Sequence, residues 1–451
     1  MTPTEALARF IVETRFESIP GKVVAAAKTS ILDTIGVTLA AIPEGVGQSI
    51  IRYVREMGGS PAAAVIGAGL KTSPPWAALA NGTLAHALDF DDSNNMLNGH
   101  ASVGVLPAAL AQAETRGASG REVIEAYVIG FEVASKLGAG MNMALHRNGW
   151  HPTCVLGAMG AAAAASKLRG LGVEATRMAL GCAASHASGL RANFGTMMKP
   201  VHAGLAAEAG VRAAGLAAAG VNSHTDVLDA KAGFCETFSG PGKYRMADII
   251  DRLGNPFVLD SPGVNLKPYP CCMSSHISVD VLRGLMEKER FTGADVESVD
   301  VDLLEPNYVN LRHHDPRTGL EGKFSGEYIL SRLLLDGALR LDTFTDGAVN
   351  APAARAMMER VRVHMAEGEV PHGAPKPATV TVRTRDGRTF RQRGERSRGN
   401  ASLPLSREEI HGKFRDCARR RLAPGKIEKV LGVLVALENL PDIRSLMADL
   451  A

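Results

Sequence analysis

The chain has 451 residues, 45% hydrophobic and 22% charged, and 50 Lys and Arg against 47 Asp and Glu give a formal net charge of +3. This composition is that of a folded globular protein and excludes disordered and fibrous chains. At roughly 100–200 residues per domain, the length corresponds to two or three domains.

No run approaches the ~18 uninterrupted apolar residues of a membrane span. The opening MTPTEALARF carries an acid early and no basic-then-apolar stretch. A cytoplasmic protein is expected, neither secreted nor inserted in a membrane. The six cysteines, Cys154, Cys182, Cys235, Cys271, Cys272 and Cys417, are sparse and lack C-x-x-C spacing, so neither a disulfide framework nor a zinc or redox site is expected. With 5% aromatics and no basic stripe, nucleic acid is not an expected partner. A local basic pocket for an acidic metabolite stays open.

In chain order, Ala, Gly and Leu dominate helix-length segments up to about Met246. Thr4 is placed to cap the first helix, and Pro20 stands before VVAAAKTSILDTIGVTLAA, whose apolar residues recur at three- and four-residue intervals. PPWAALANGTLAHALDF, ASVGVLPAALAQAETRG, REVIEAYVIGFEVASKLGAGM, HPTCVLGAMGAAAAASKLRG and KPVHAGLAAEAGVRAAGLAAAG follow. Several are apolar nearly all round, as central helices are, and their small residues permit close helix contact. This half is expected to be all-helical.

After SPGVNLKPYP the texture changes. A helix around Ser278–Glu289, the segment VESVDVDLLE and a helix at FSGEYILSRLLLDGAL precede β-rich VRVHMAEG, ATVTVRTRDG and RTFRQR. Asp386-Gly387 predicts a hairpin between the last two. This stretch reads as a separate α+β domain. The charged RQRGERSRGNASLP marks its exit, and LSREEIHGKFRDCARR and IEKVLGVLVALENL return to helix, expected to pack back on the first half.

Four clusters carry candidate chemistry. In LAHALDFDDSNNMLNGHASVGVLP, Asp89, Asp91 and Asp92 crowd a helix end and His100 follows a polar loop. Three adjacent carboxylates repel one another, so the crowding implies either a metal or a division of labour: one caps backbone donors, one positions a His and one is solvated. In GWHPTCVLG, His151 opens a helix, where the dipole disfavours the imidazolium and a neutral, proton-accepting ring is expected. In NFGTMMKPVHAG, Lys199 opens a helix against the dipole preference, with His202 one turn on, which suggests a negative partner or ligand. NLKPYPCCMSSHISVD sets Lys267 and His276 either side of a Pro-stiffened turn, and its adjacent Cys271 and Cys272 are poorly placed to chelate one metal. Tyr328 and the run His313–Asp315 are weaker signals, read as surface or packing features unless something else selects them. Nucleotide-binding, P-loop, zincin and serine-hydrolase motifs are absent. The remaining Lys, His, Asp and Tyr suit proton transfer beside a carboxylate without a cofactor.

The ordered set LANGTLAHALDFDD, His100, GWHPT, KPVHAGLAAEAG and LKPYPCCMSSH resembles the MmgE/PrpD family, which includes 2-methylcitrate dehydratases, cis-aconitate decarboxylases and iminodisuccinate epimerases. The resemblance spans the chain. It implies a mainly α fold: a large all-helical domain from residues 1–266 and 403–451, and an inserted α+β lid over residues 267–402. It also implies a homodimer and a cofactor-free, metal-free site in the cleft between domains. Catalytic roles are implied for Asp89, His100, His151, Lys199 and Lys267, and substrate contacts for Ser93, Cys272 and Tyr328. Asp89 is preferred to its neighbours because the family motif begins there.

The expected activity is that of a cofactor-independent lyase or isomerase moving a proton next to a carboxylate on a small di- or tricarboxylate. Cys272 stands where the decarboxylase branch has a second His, and NNMLNG replaces a loop containing His and Pro. These departures place a 2-methylcitrate dehydratase-like hydro-lyase first, with an iminodisuccinate-type epimerase or a cis-aconitate decarboxylase as alternatives. A non-catalytic carboxylate-binding protein is the rival from another class, and it has less use for the histidines. In the enzyme reading Lys199 and Lys267 neutralise developing charge, His151 or His100 moves the proton, and Asp89 sets the His tautomer.

Overall fold

The computed structural model describes residues 1–368 and 376–451. The chain divides into two compact units, unit 1 of Met1–Leu266 with Ser406–Ala451 and unit 2 of Lys267–Leu405.

Unit 1 opens with α1 (Pro3–Glu13), whose cap is Thr2 rather than Thr4: the Thr2 hydroxyl accepts from the Glu5 amide. Pro3 suits the first helical position, where its missing N–H costs nothing, and Thr4 is buried with its Oγ1 accepting from Leu228 N at 3.2 Å. Next come α2 (Gly21–Ala40) and α3 (Gly45–Met57), then strands β1 (Ala63–Val65) and β2 (Leu70–Thr72). The central helices are α4 (Pro74–Ala87), α5 (Ser102–Arg116), α6 (Gly120–Arg147), α7 (Pro152–Arg169), α8 (Val173–His186) and α9 (Met198–Ala218), followed by short α10 (Phe234–Ser239) and α11 (Met246–Ile250).

The β1–β2 hairpin corrects the expectation that this half is all-helical. Its strands are too short to carry a readable alternation, and helix side chains hold it in place. Asn81 of α4 accepts from Ile66 N and donates to Ala64 O, both at 2.9 Å, while Glu114 of α5 accepts from Ala64 N at 2.7 Å.

The small residues do bring helices into close contact. α4 and α7 pack on α9, and α6 packs on α7. At the α4–α9 crossing a Cβ on Gly204 would lie 2.2 Å from the Leu79 carbonyl oxygen, and at α6–α7 a Cβ on Gly130 would lie 2.6 Å from the Gly160 oxygen. Only glycine permits backbones to approach so closely. Helix α2 is long and apolar enough to cross a membrane, yet 72% of its apolar window is buried within the protein, where it serves as a core helix of unit 1.

Unit 2 contains α12 (His276–Glu289), β3 (Val296–Leu304), α13 (Glu305–Tyr308), α14 (Gly319–Gly322), α15 (Gly326–Asp336), α16 (Asp346–Val349), α17 (Pro352–Met358), β4 (Val361–Ala366), β5 (Ala378–Thr384) and β6 (Thr389–Gly394). The sheet order is β4-β3-β5-β6, with β3–β4 parallel and the other pairs antiparallel. Val299, Val301 and Leu303 of β3 and Ala378, Val380 and Val382 of β5 alternate into a core shared with Leu282, Leu285, Ile329 and Leu333 of α12 and α15. The expected hairpin is present: Ala378 pairs with Gly394 through to Arg383 with Thr389, and Gly387 takes φ +89° in the turn.

The final segment of unit 1 comprises α18 (Arg407–Ala418), α19 (Pro424–Val435) and α20 (Ile443–Leu450). Ser406 and Glu409 form a capping box at the start of α18. α18 and α19 pack on α2, where Gly36 leaves room for Phe414.

Candidate functional site

The site in unit 1 is built where α4 ends. Asp89, just past the C-cap Leu88, has φ +52°, a left-handed conformation that Asp tolerates better than most residues. The turn allows Asp89, Asp91 and Asp92 to leave the chain toward different partners. None of the three is solvated, at 5%, 0% and 0% exposure, which corrects the expectation that one faces water.

Asp91 lies between two imidazoles: Oδ1 is 3.0 Å from His86 Nδ1 and Oδ2 is 2.7 Å from His100 Nδ1. His100 Nδ1 is also 2.6 Å from the Asp92 carbonyl oxygen. These partners are acceptors only, so each Nδ1 carries a proton and both tautomers are set. Asp91, not Asp89, therefore performs the orienting role. Burial pushes the Asp91 carboxyl up, but its attraction to the His86 and His100 rings and the hydrogen bonds they donate outweigh it and hold the group well below the usual carboxylate range. Burial dominates at His86 and brings it down to about 4, so the ring is neutral at pH 7. Its Nε2 is buried with no hydrogen-bond partner among the described residues.

Asp89 instead meets Lys199, with Nζ 2.5 Å from Oδ1 and side chains 10% and 8% exposed. The negative partner expected for a lysine in the first turn of α9 is thus a carboxylate of the same cluster. The Phe194 ring lies 5.8 Å from Lys199 Nζ and meets His151 edge-on at 4.8 Å. His151 caps α7 and is buried, with Nδ1 3.1 Å from Nδ1 of His202. Between two such nitrogens one donates and one accepts, so the rings hold complementary tautomers. Burial, reinforced by His86 and Lys199, holds His151 well below the ordinary histidine value, and burial with Lys199 lowers His202. The neutral His151 expected at a helix start is what the fold produces.

The Asp92 side chain has a different partner. Its Oδ2 accepts from Ser102 Oγ at 2.5 Å, and that hydroxyl lies 2.6 Å from Tyr127 OH. Burial raises Asp92 to about 8, with Asp33 and Asp91 adding to the rise, so it is protonated at neutral pH.

Asp89, His100, His151 and Lys199 therefore converge with His86, Asp91 and His202, which the sequence reading did not select as site residues. His86 lies in an apolar helix, where a histidine reads as core. Its signal was the spacing to Asp91, five residues on across a helix end. Ser93 is half-buried, and its backbone forms an antiparallel bridge with Asn265. Lys267, Cys272 and Tyr328 belong to unit 2. Lys267 is buried, and the Cys272 amide donates to the Lys323 carbonyl at 3.0 Å. Tyr328 is fully buried, with its hydroxyl donating to the Thr343 carbonyl and its ring edge-on to Phe344. That placement corrects its assignment to substrate: the hydroxyl is committed inside the unit 2 core.

His86, Asp89 and His100 offer one ligand atom each within 4.8 Å of one another. Lys199 already neutralises Asp89, so a cation seated there would compete with an ammonium for the same carboxylate. Without a cation, the set supplies a buried ammonium paired with a carboxylate, a carboxylate-held imidazole and neutral imidazoles. That combination stabilises negative charge and transfers protons in a water-poor setting.

Comparison with known proteins places this chain in a family. Residues 5–247 match the MmgE/PrpD N-terminal domain and residues 269–437 the MmgE/PrpD C-terminal domain. Cis-aconitate decarboxylase of Homo sapiens is 30% identical over 453 residues, covering 97% of this chain and 92% of that protein. The Mus musculus cis-aconitate decarboxylase is 29% identical, covering 97% and 91%, and that of Aspergillus terreus is 27% identical, covering 96% and 92%. The chain belongs to the MmgE/PrpD family.

Proposed function

We propose that the protein is a lyase that removes carbon dioxide from a small unsaturated tricarboxylate of the cis-aconitate type. The dehydratase-like hydro-lyase placed first by the sequence gives way to the decarboxylase alternative, because the relatives that align over nearly their whole length are cis-aconitate decarboxylases. The structural observation that carries this reading is the buried Lys199–Asp89 pair beside the Asp91-held imidazoles.

In such a reaction the bond from a CH2 carbon to its carboxylate breaks and carbon dioxide leaves. The electron pair passes through the adjacent double bond to the carbon bearing a second carboxylate, and a proton delivered there gives the product. Lys199 neutralises the charge that accumulates on that carboxylate, an interaction far stronger out of water. His100, 15% exposed at its side chain and held through Nδ1 by Asp91, takes a proton from solvent on Nε2 before each turnover and, as the imidazolium, delivers it from there to the substrate carbon, returning to the Nδ1–H tautomer. Neutral His86 and His151 add no positive charge that would compete with Lys199 for the substrate.

The test is carbon-13 and proton NMR of purified protein with carboxyl-labelled cis-aconitate, 2-methylcitrate, citrate and an iminodisuccinate-type acid in deuterium oxide. Labelled carbon dioxide from cis-aconitate, lost in the Lys199→Ala variant, supports the proposal. Water gained or lost across a double bond without carbon dioxide returns the hydro-lyase reading, and deuterium entering an intact substrate identifies an epimerase.

A further inference from the structure

Lys413 lies in unit 1, on α18, 323 residues beyond Phe90 in the chain. Its side chain is 8% exposed, an unusual place for a lysine unless its charge is met. Three groups meet it. Nζ is 2.7 Å from Asp33 Oδ1 on α2, donates to the Phe90 carbonyl oxygen at 2.7 Å, and sits 3.8 Å from the centroid of the Phe90 ring.

Phe90 is the residue between Asp89 and Asp91. Its peptide is therefore the hinge from which one carboxylate reaches Lys199 and the other reaches His86 and His100. Asp89 holds the left-handed φ of +52°, a conformation that persists only when surrounding contacts determine it. The Phe90 carbonyl is such a contact point, and the ammonium that grips it is neutralised by Asp33.

We propose that Lys413 is a positioning residue for the site: through the Phe90 peptide it sets the directions of Asp89 and Asp91, and through them the placement of Lys199 and the tautomers of His86 and His100. This concerns the geometry of the site and goes beyond the proposed reaction. A tail lysine with a purely structural role would stabilise α18 on α2 and leave the imidazoles unchanged.

The experiment uses the full chain with 15N-labelled histidine and no substrate, in wild type, Lys413→Met, Lys413→Arg and Asp33→Asn. Lys429→Met serves as a tail control, because that lysine is 63% exposed on its side chain and pairs with Asp449. The readouts are the imidazole nitrogen and Nδ1–H resonances, with circular dichroism and thermal unfolding measured alongside. The expected result is that Lys413→Met shifts or broadens the Nδ1–H signals of His86 and His100, Lys413→Arg restores them, and Lys429→Met leaves them in place. A folded Lys413→Met protein with wild-type imidazole signals overturns the proposal, whatever its melting temperature. Should Lys413→Met fail to fold, Asp33→Asn takes its place, and wild-type signals in that variant overturn the proposal equally. With an active substrate, kcat is expected to fall on the order of tenfold to a hundredfold with little change in KM, as misplacement of reacting groups produces. Because the NMR readout needs no turnover, failure of the decarboxylase assignment and failure of this proposal are distinguishable.

Discussion

Asp91 and Asp92 are neighbours in the chain and equally buried, yet they hold opposite protonation states. Asp91 faces two imidazole N–H groups, which keep it ionised in the interior. Asp92 faces hydroxyls and has a further carboxylate, Asp33, nearby, so burial prevails and it keeps its proton. The desolvation cost is similar for both, and the partner decides the outcome. The left-handed Asp89 turns the chain so that adjacent carboxylates face different neighbours. One side of the turn thereby becomes a proton-handling cluster and the other a neutral polar brace.

The largest expected effect comes from breaking the ionised side. In Asp91→Asn the amide offers a donor to one Nδ1–H, forcing that ring into the other tautomer. Turnover should fall by about a thousandfold or more, as for other buried carboxylates that hold a catalytic histidine. Carbon dioxide release at saturating substrate, with circular dichroism to confirm folding, measures it. Lys199→Met comes next, with a loss of roughly 10²–10³ in kcat, because it removes charge stabilisation of the kind oxyanion donors provide. Wild-type turnover in this variant would remove Lys199 from the mechanism.

The pH dependence of stability separates the two sides by sign. His86, lowered to about 4, and His151, also lowered, bind fewer protons folded than unfolded below the ordinary histidine value. Their contribution to stability is present above about pH 6.5 and declines as the pH falls toward 4. Asp92, raised to about 8, binds more protons folded than unfolded, so its contribution is present below about pH 4 and is lost as the pH rises through 8. Urea unfolding across this range should show His151→Asn flattening the acid limb and Asp92→Asn flattening the alkaline limb. The smallest effect is that of Asp92→Asn below about pH 4. There the amide imitates the protonated carboxyl of both folded and unfolded chains, so stability should stay within about 1 kcal/mol of wild type; at pH 7 the variant, which has no proton to hold, should be the more stable of the two, with turnover little changed. A loss as severe as that of Asp91→Asn would show that both carboxylates serve the same chemistry.

Much of the secondary structure was legible because its causes are local. The hairpin at Asp386-Gly387 follows from turn chemistry, and the core helices from apolar, small-residue periodicity. The first cap is Thr2 rather than Thr4, the two lying either side of Pro3, and β1–β2 has no local signature because Asn81 and Glu114 hold it from other elements. Within the site, the positions of Asp89, His100, His151 and Lys199 were marked by motif and helix-end chemistry. The partner of each was not. Asp89 was given the orienting role that Asp91 holds, and Tyr328 was assigned to substrate although its hydroxyl is bound within a core.

By itself, the sequence determined which segments form helices, where a strand pair turns, and that lysines, histidines and aspartates are the chemical groups available, because these depend on neighbours within a few positions. Only the tertiary structure decided which carboxylate ionises, which imidazole it holds and that Lys413 reaches the peptide between Asp89 and Asp91. Those outcomes depend on desolvation and on partners brought in from distant elements, and neither is encoded in local spacing.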